Sequence, residues 1–216
     1  MREERQRIAG RLEATLRVPD GPPGAIVIVA HPLPTHGGTM RNPLVAGIAR
    51  ACADRGWYAL RFNFRGVGDS SGDWTGGERE PEDVAAAAAH ARDLAPGLPL
   101  GAVGYSFGAL MVLRWLADGG RADAVALVGL PLRSVSLAPQ ELPPVPAGTF
   151  VVAAERDQFG SAAELRAAHP SLEVAAVPRV DHFFGRRHAE VGALVADHLA
   201  KKMSEERLRR DERIRE

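Results

Sequence analysis

Short apolar runs alternate with longer amphipathic segments along most of the chain. The run Ala25–Ala30 is continuously apolar, which is typical of a strand buried on both faces of a sheet. Leu12–Val18 alternates apolar and polar residues, which indicates an antiparallel or edge strand. Ala189–Lys202 has apolar residues at helical spacing, which predicts a final helix. This alternation predicts an α/β protein with a mostly parallel central sheet and helices on both faces.

The boundaries of the other elements follow from residues that start or end helices. Pro81 suits a first helical position, and Gly56 suits the position that follows a helix. Four prolines within Pro139–Pro146 predict a surface connector. The other predicted strands are Trp57–Phe64, Leu100–Gly104, Ala124–Val128, Thr149–Ala154 and Leu172–Val177. The other predicted helices are Pro43–Arg55, Pro81–Leu94, Phe107–Ala117 and Ala162–Ala168.

The composition favours a globular protein and excludes some classes of partner. The chain has 216 residues, of which 45% are hydrophobic, so it is long and apolar enough for a core. Its 27 Lys and Arg residues balance its 27 Asp and Glu residues, so no global basic field attracts nucleic acid. The longest apolar runs are too short to cross a bilayer. We therefore expect neither a nucleic-acid partner nor a membrane span.

The single cysteine and the chain termini bear on location and organisation. Cys52 allows no intrachain disulfide, and no apolar segment follows the charged N-terminus as it would in a signal peptide, so we expect a cytoplasmic location. We divide the chain into a charged N-terminal segment, 1–11, a domain, 12–203, and a charged C-terminal tail, 204–216. The tail is predicted to be a solvated helix or frayed end, or alternatively a partner-binding arm. No sequence feature indicates an oligomeric state.

The first chemical motif is G-x-S-x-G, formed by Gly104, Ser106 and Gly108. It lies between a predicted strand and a predicted helix, which is the setting of a nucleophile elbow. A sharp turn there holds the serine in a strained conformation, and the two glycines leave room for it. The N-terminus of the following helix favours an anion. The pattern predicts Ser106 as a nucleophile; the alternative is a tight turn with an incidental serine.

A serine hydroxyl needs a base to take its proton, and the base needs an orienting acid. Of the seven histidines, His182 follows the last predicted strand and precedes the final helix, so it is the predicted general base. Asp157 follows the strand Thr149–Ala154 and is predicted to orient that histidine. Glu155 is the alternative acid. The order serine, acid, histidine is that of proteins with a G-x-S-x-G elbow.

The loop after Ala30, which reads H-P-L-P-T-H-G-G, is predicted to complete an oxyanion hole. Because prolines 32 and 34 have no N–H, Leu33 is the predicted donor from this loop, and Phe107 is the predicted donor from the elbow. The prolines also stiffen the loop, so the donor needs no reorganisation. The alternative is a rigid loop with no catalytic part. Histidines 31 and 36 of this loop are interpreted as architectural.

A third segment, R-F-N-F-R-G-V-G-D-S-S-G at residues 61–72, places charged groups among glycines. We interpret it as structural, with Asn63 and Arg65 tying loops together at the carboxyl edge of the sheet. Asp69 is a spare acid, but it precedes the serine in the chain and is not expected in a triad.

Together, the motifs H-P-L-P-T-H-G-G, F-N-F-R-G-V-G-D-S-S-G, G-Y-S-F-G and D-H-F-F resemble those of small bacterial α/β-hydrolase superfamily proteins related to dienelactone hydrolases. The resemblance covers about residues 12–199. It implies an α/β-hydrolase fold with Ser106, Asp157 and His182 as a triad, and Leu33 and Phe107 as oxyanion donors. Asn63 departs from the aspartate common in the superfamily. Only residues 129–148 are available for a cap, so no full cap domain is expected.

The predicted function is that of a serine hydrolase, specifically an esterase that cleaves small carboxylic esters through an acyl-enzyme. Neither a metal nor an organic cofactor is needed for this chemistry. A thioesterase or a peptidase would use the same triad, because the leaving group is selected by the shape of the pocket. A non-catalytic binding module that keeps the fold is a further alternative.

Overall fold

The computed structural model describes residues 1–133 and 142–215. The connector predicted at Pro139–Pro146 lies partly outside the described residues, and its residues 142–146 form neither helix nor strand. The described strands are β1 (Arg2–Ile8), β2 (Leu12–Val18), β3 (Ile26–Ala30), β4 (Tyr58–Phe62), β5 (Leu100–Tyr105), β6 (Ala124–Val128), β7 (Phe150–Ala154) and β8 (Glu173–Val177). The described α-helices are α1 (Pro43–Asp54), α2 (Glu80–Leu94), α3 (Phe107–Ala117), α4 (Ala162–Ala168) and α5 (His188–Arg215).

The strands form one mostly parallel sheet in the order β1-β2-β4-β3-β5-β6-β7-β8. The strands from β4 to β8 in this order pair in parallel, whereas β2 pairs antiparallel with both β1 and β4. All five residues of β3 are fully buried, as its continuous apolar sequence predicts. The carboxyl ends of the parallel strands therefore meet along one edge of the sheet.

Two apolar cores lie on opposite faces of this sheet. Residues of α2, α3 and α4 pack on one face, and residues of α1 and α5 pack on the other. Helices α1 and α5 approach closely because Gly47 and Gly192 face each other, and a Cβ at Gly192 would lie 3.1 Å from the Gly47 carbonyl oxygen. The predicted α/β class, with helices on both faces, is confirmed.

The N-terminal segment contributes a strand that the hydrophobic pattern does not indicate. Strand β1 pairs with β2 along its whole length, with Arg2 opposite Val18 and Ile8 opposite Leu12. The turn between them places Ala9 and Gly10 at positive φ angles of 47° and 70°. Strand β2 is thus antiparallel, as predicted, but is not at the edge. The division of the chain at residues 11 and 203 stays a prediction.

The final helix continues beyond the predicted end at Lys202. Among its described side chains, Met203 is the last buried one, and ion pairs one turn apart follow, including Lys202–Glu205 and Arg209–Glu206. Such pairs stabilise an exposed helix that has no core to cover. Among the helices of residues 1–133 and 142–215, none combines the length and the apolar character needed to cross a membrane.

Candidate active site

The residues predicted as nucleophile, base and acid lie together at the carboxyl edge of the sheet. Ser106 follows β5, Asp157 lies in the loop after β7, and His182 lies in the loop after β8. The Nε2 atom of His182 is 2.8 Å from Ser106 Oγ. Its Nδ1 atom is 2.8 Å from Asp157 Oδ2. The structure therefore joins all three side chains in one hydrogen-bonded line.

The backbone at Ser106 has the strained turn that the motif predicts. Its φ and ψ angles are 55° and −116°, a conformation that residues with a Cβ rarely adopt. A Cβ at Gly104 would lie 2.2 Å from the Gly108 carbonyl oxygen, and one at Gly108 would lie 2.4 Å from the Ala30 carbonyl oxygen. Both glycines are needed because strand β5, helix α3 and the end of β3 touch through their backbones. The Ser106 N–H donates to Val128 O at 2.8 Å, which fixes the turn to β6.

The carboxylate of Asp157 is held from two sides and is buried. Its Oδ1 atom accepts the Phe159 N–H at 2.8 Å, which leaves Oδ2 to face His182. The alternative acid, Glu155, is exposed and accepts the Arg179 N–H at 2.6 Å. Glu155 therefore braces the neighbouring turn, and Asp157 is the acid that contacts the histidine.

The His182 loop is fixed by a residue that sequence reasoning missed. The Tyr105 hydroxyl donates to the His182 carbonyl oxygen at 3.0 Å, and the two rings lie 5.6 Å apart. Burial and the nearby carboxylates of Asp157 and Asp181 raise the pKa of Tyr105, so the hydroxyl keeps its proton. No sequence signal marks this contact, because it joins residues 77 positions apart.

The two predicted oxyanion donors, Leu33 and Phe107, both line the cavity in front of Ser106. Phe107 is the first residue of α3, so its N–H has no acceptor within the helix. Within the described residues, neither N–H donates to a loop, turn or side-chain acceptor. Both N–H groups therefore have no acceptor among these residues, and both residues lie beside Ser106 at the cavity.

His31 holds the loop that carries Leu33. Its Nε2 atom accepts the Phe64 N–H at 3.1 Å, so the proton resides on Nδ1, which donates to Pro32 O at 2.7 Å. Burial lowers the pKa of His31 to about 4, which keeps the ring neutral. The architectural interpretation of this histidine agrees with these contacts, whereas His36 is exposed on the 3₁₀ turn Pro34–His36 at the cavity rim.

The segment 61–72 ties loops together, as its structural interpretation requires. Arg65 binds the buried Asp83 through its backbone N–H and its guanidinium group. Asn63 accepts the Met40 N–H at 2.8 Å and donates to the Glu13 carboxylate at 2.7 Å. An aspartate could not donate to Glu13, so the departure at Asn63 suits this partner. Asp69 lies on the exposed part of this segment.

A cavity of about 150 Å³ opens in front of Ser106 and is mostly apolar. The side chains of Arg133 and Asn42 add polar groups at its rim. The guanidinium group of Arg133 binds Gln158 O at 3.0 Å and pairs with Glu164. Across residues 1–133 and 142–215, no cluster of three or more His, Cys, Asp or Glu side chains could hold a metal ion.

The sequence model of a family described as an alpha/beta hydrolase domain matches residues 23–207. The protein is an alpha/beta hydrolase. An uncharacterised protein of Rickettsia prowazekii is 26% identical over 201 residues, which are 88% of this chain and 84% of that protein. The family membership and the fold confirm the resemblance drawn from the motifs.

Two solved structures similar to this alpha/beta hydrolase are described as serine hydrolases. An alpha-beta serine hydrolase homologue from Coxiella burnetii is 26% identical, with a TM-score of 0.77, over 92% of this chain and 97% of that one. A serine hydrolase without a lid from Xanthomonas campestris is 26% identical, with a TM-score of 0.79, over 92% of this chain and 94% of that one. These similarities support hydrolysis as the general activity and agree with the expected absence of a full cap domain.

Proposed function

We propose that this alpha/beta hydrolase is a serine esterase that cleaves small carboxylic esters, with Ser106, His182 and Asp157 as its catalytic triad. One observation carries the proposal: hydrogen bonds of 2.8 Å run from Asp157 through both nitrogens of His182 to the Ser106 hydroxyl. The line ends at a half-buried hydroxyl in an apolar cavity. A nucleophile, its base and the group that orients the base are the parts that acyl transfer requires.

In the first step, Ser106 Oγ attacks the carbonyl carbon of the ester while His182 Nε2 takes the hydroxyl proton. The carbonyl π electrons move to oxygen and form a tetrahedral oxyanion. Asp157 accepts the Nδ1–H, which keeps Nε2 unprotonated before attack and stabilises the imidazolium afterwards. The 2.8 Å separation of Nε2 and Oγ allows this transfer without movement of the loop.

The oxyanion would accept the backbone N–H groups of Leu33 and Phe107, assisted by the N-terminus of α3. When the intermediate collapses, the bond to the alcohol oxygen breaks and that oxygen takes the proton from His182. The products are the free alcohol and an ester of Ser106. Water then attacks this acyl-enzyme, again with His182 as base, and releases the acid with Ser106 protonated.

The dimensions of the site support small substrates. A cavity of about 150 Å³ accommodates only the groups close to the reacting carbonyl, and the rest of a larger molecule would extend into solvent. The similarity to a serine hydrolase without a lid is consistent with this open arrangement. The proposed substrates are therefore small-molecule esters.

Hydrolysis of short-chain p-nitrophenyl esters tests the proposal. We expect Ser106→Ala to abolish nitrophenol release, while Ser71→Ala, which removes an exposed hydroxyl that does not line the cavity, retains wild-type rates. A fluorophosphonate probe should label the wild type and the Ser71→Ala control but not the Ser106→Ala variant. Turnover that survives in Ser106→Ala would contradict the assignment.

The alternatives give different results in the same experiments. A folded wild-type protein that neither reacts with the probe nor cleaves any ester would favour a non-catalytic binding module. Faster Ser106-dependent cleavage of thioesters or of peptide amides than of matched oxygen esters would favour a thioesterase or a peptidase.

A further inference from the structure

Phe183 is the one phenylalanine of the seven whose side chain is largely exposed. It follows His182 directly, lines the cavity and is 62% exposed. The phenylalanines at positions 62, 64, 107 and 184 are buried, and those at 150 and 159 are half-buried. A ligand that covers this ring would remove apolar surface from water, which is favourable.

The backbone of the His182 loop keeps Phe183 on the cavity side. Its N–H donates to Asp181 Oδ1 at 3.1 Å, and the next residue, Phe184, has a positive φ of 56°. This angle is unfavourable for a residue with a Cβ, so the surrounding contacts must impose it. The turn buries Phe184 completely in the core beneath the sheet and leaves Phe183 beside the site.

A second aromatic ring, that of Phe159, flanks His182. The ring centroids of Phe159 and His182 are 4.7 Å apart with an interplanar angle of 78°, and those of Phe183 and His182 are 5.7 Å apart with an angle of 82°. Both phenylalanines line the same cavity. The general base therefore lies between two apolar surfaces that are open to a ligand.

The chemistry identifies which part of an ester would meet these rings. His182 must deliver its proton to the oxygen of the departing alcohol, so that oxygen lies beside Nε2 in the transition state. The carbonyl oxygen points instead towards the Leu33 and Phe107 amides. We infer that Phe159 and Phe183 bind the alcohol portion of the substrate, and that the enzyme selects esters of apolar, aryl-bearing alcohols. This inference rests on the proposed esterase function.

The charge at the rim favours a neutral alcohol. Among the described residues that line the cavity, Arg133 is the one with a permanent charge, and its guanidinium group is already paired with Glu164 and bound to Gln158 O. Within the described lining, no carboxylate is exposed to attract a cationic alcohol. Apolar contact with the two rings is then the main source of selectivity on this side.

The test varies the alcohol and the acyl group separately, with acid release followed by pH-stat titration. One series contains methyl, butyl and benzyl acetate, which share the acetyl group, so differences in kcat/KM among them report the alcohol portion alone. The other contains methyl acetate, butyrate and benzoate. The variants are Phe183→Ala and Phe183→Leu, with Leu208→Ala as the control, because Leu208 is an equally exposed apolar side chain on α5.

In Phe183→Ala we expect the kcat/KM ratio of benzyl to methyl acetate to fall about fivefold, the size of one lost aromatic contact. Phe183→Leu should show a smaller fall, and Leu208→Ala none. The ratio of methyl benzoate to methyl acetate should change less than about twofold in Phe183→Ala.

An equal loss on benzyl and methyl acetate would overturn the inference, because the ring would then act through His182. A change confined to the acyl series would overturn it as well, because the rings would then contact the acid portion. If the wild-type protein hydrolyses no ester of either series, or does so no faster than Ser106→Ala, the proposed function is overturned, and this inference with it.

Discussion

Two buried polar networks lie at the carboxyl edge of the sheet, one around Asp83 and one around Asp157. They differ in the group at which each hydrogen-bonded network ends. Asp83 binds Arg65 through both carboxylate oxygens and also pairs with Arg11, so its acceptors are occupied on every side. Asp157 uses one oxygen for the Phe159 N–H and the other for His182, whose far nitrogen faces the Ser106 hydroxyl. The first network ends in charged side chains that are paired with one another, and the second ends at a cavity.

The difference separates a structural network from one that can transfer a proton. In the Arg65 network both partners are charged and neither has a ligand-accessible end, so its contribution is to hold loops in place. The His182 ring lies between a fixed acid and the Ser106 hydroxyl, so the ring can take the hydroxyl proton during a reaction. Buried charge alone therefore does not distinguish a candidate active site from a structural network, whereas an end that opens to a cavity does.

The largest expected effect comes from Asp157→Asn. An asparagine can still accept the Phe159 N–H, but its amide favours the wrong histidine tautomer, so kcat should fall by about 10⁴. Steady-state hydrolysis of p-nitrophenyl acetate measures this, with urea denaturation to show that the fold is kept. A loss below tenfold would mean that Asp157 does not orient the base.

The matched change in the other network, Asp83→Ala, should act on stability instead. It leaves the buried guanidinium of Arg65 with Glu82 alone, so the free energy of unfolding should fall by about 3 kcal/mol. Urea denaturation at pH 7 measures the change. The kcat/KM of the folded variant should stay within about twofold of the wild type; a large catalytic loss in the folded protein would contradict the separation of the networks.

A pH change tests whether the buried, neutral His31 ring stabilises the fold. Because burial lowers its pKa from 6.5 to about 4, the unfolded chain takes up the proton first as the pH falls. The stabilisation from the neutral His31 ring is complete above pH 6.5 and is lost as the pH falls towards 4. The free energy of unfolding should therefore drop by about 2 kcal/mol between pH 7 and pH 5. Urea denaturation of the wild type and His31→Gln at both pH values isolates this residue; an equal pH dependence in the two proteins would contradict it.

The smallest effect is expected for Tyr105→Phe, which removes one hydrogen bond to the His182 carbonyl oxygen. Looser placement of the base should lower kcat about fivefold and leave KM unchanged. Tyr58→Phe is the matched control, since Tyr58 is the other tyrosine and lies at the start of β4. A rise in KM with an unchanged kcat would show that Tyr105 affects binding and does not position His182.

The strands that are buried on both faces of the sheet could be predicted from the sequence, and so could the site residues that follow them. Ser106, Asp157 and His182 each lie just after a strand with a clear pattern, and parallel strands bring their carboxyl ends together. Strand β1 could not be predicted in this way. Its sequence shows no alternation of apolar and polar residues, because it is the edge strand and is mostly exposed. The turn at Ala9 and Gly10 directs it back along β2.

The contacts around the base were also beyond the sequence. The hydrogen bond from Tyr105 to the His182 carbonyl oxygen joins the end of β5 to the loop after β8, so it depends on how these two elements pack. The positions of Phe159 and Phe183 depend on two separate turns. Local patterns predict that an element is present, whereas side-chain neighbours across elements follow from packing. The positive φ of Phe184 leaves no mark in the sequence, since phenylalanine is not a residue that favours it.

The close approach at Gly108 divides the site into a stiff side and an adjustable side. With no side chain between them, the first turn of α3 lies against the backbone of Ala30 and His31. This contact restricts movement of the Leu33 loop relative to the elbow, so we expect the two amides to keep their spacing. If the proposed esterase function is correct, any widening of the cavity would occur at the opposite rim, at Phe159 and Phe183, and release of the alcohol would depend on that rim.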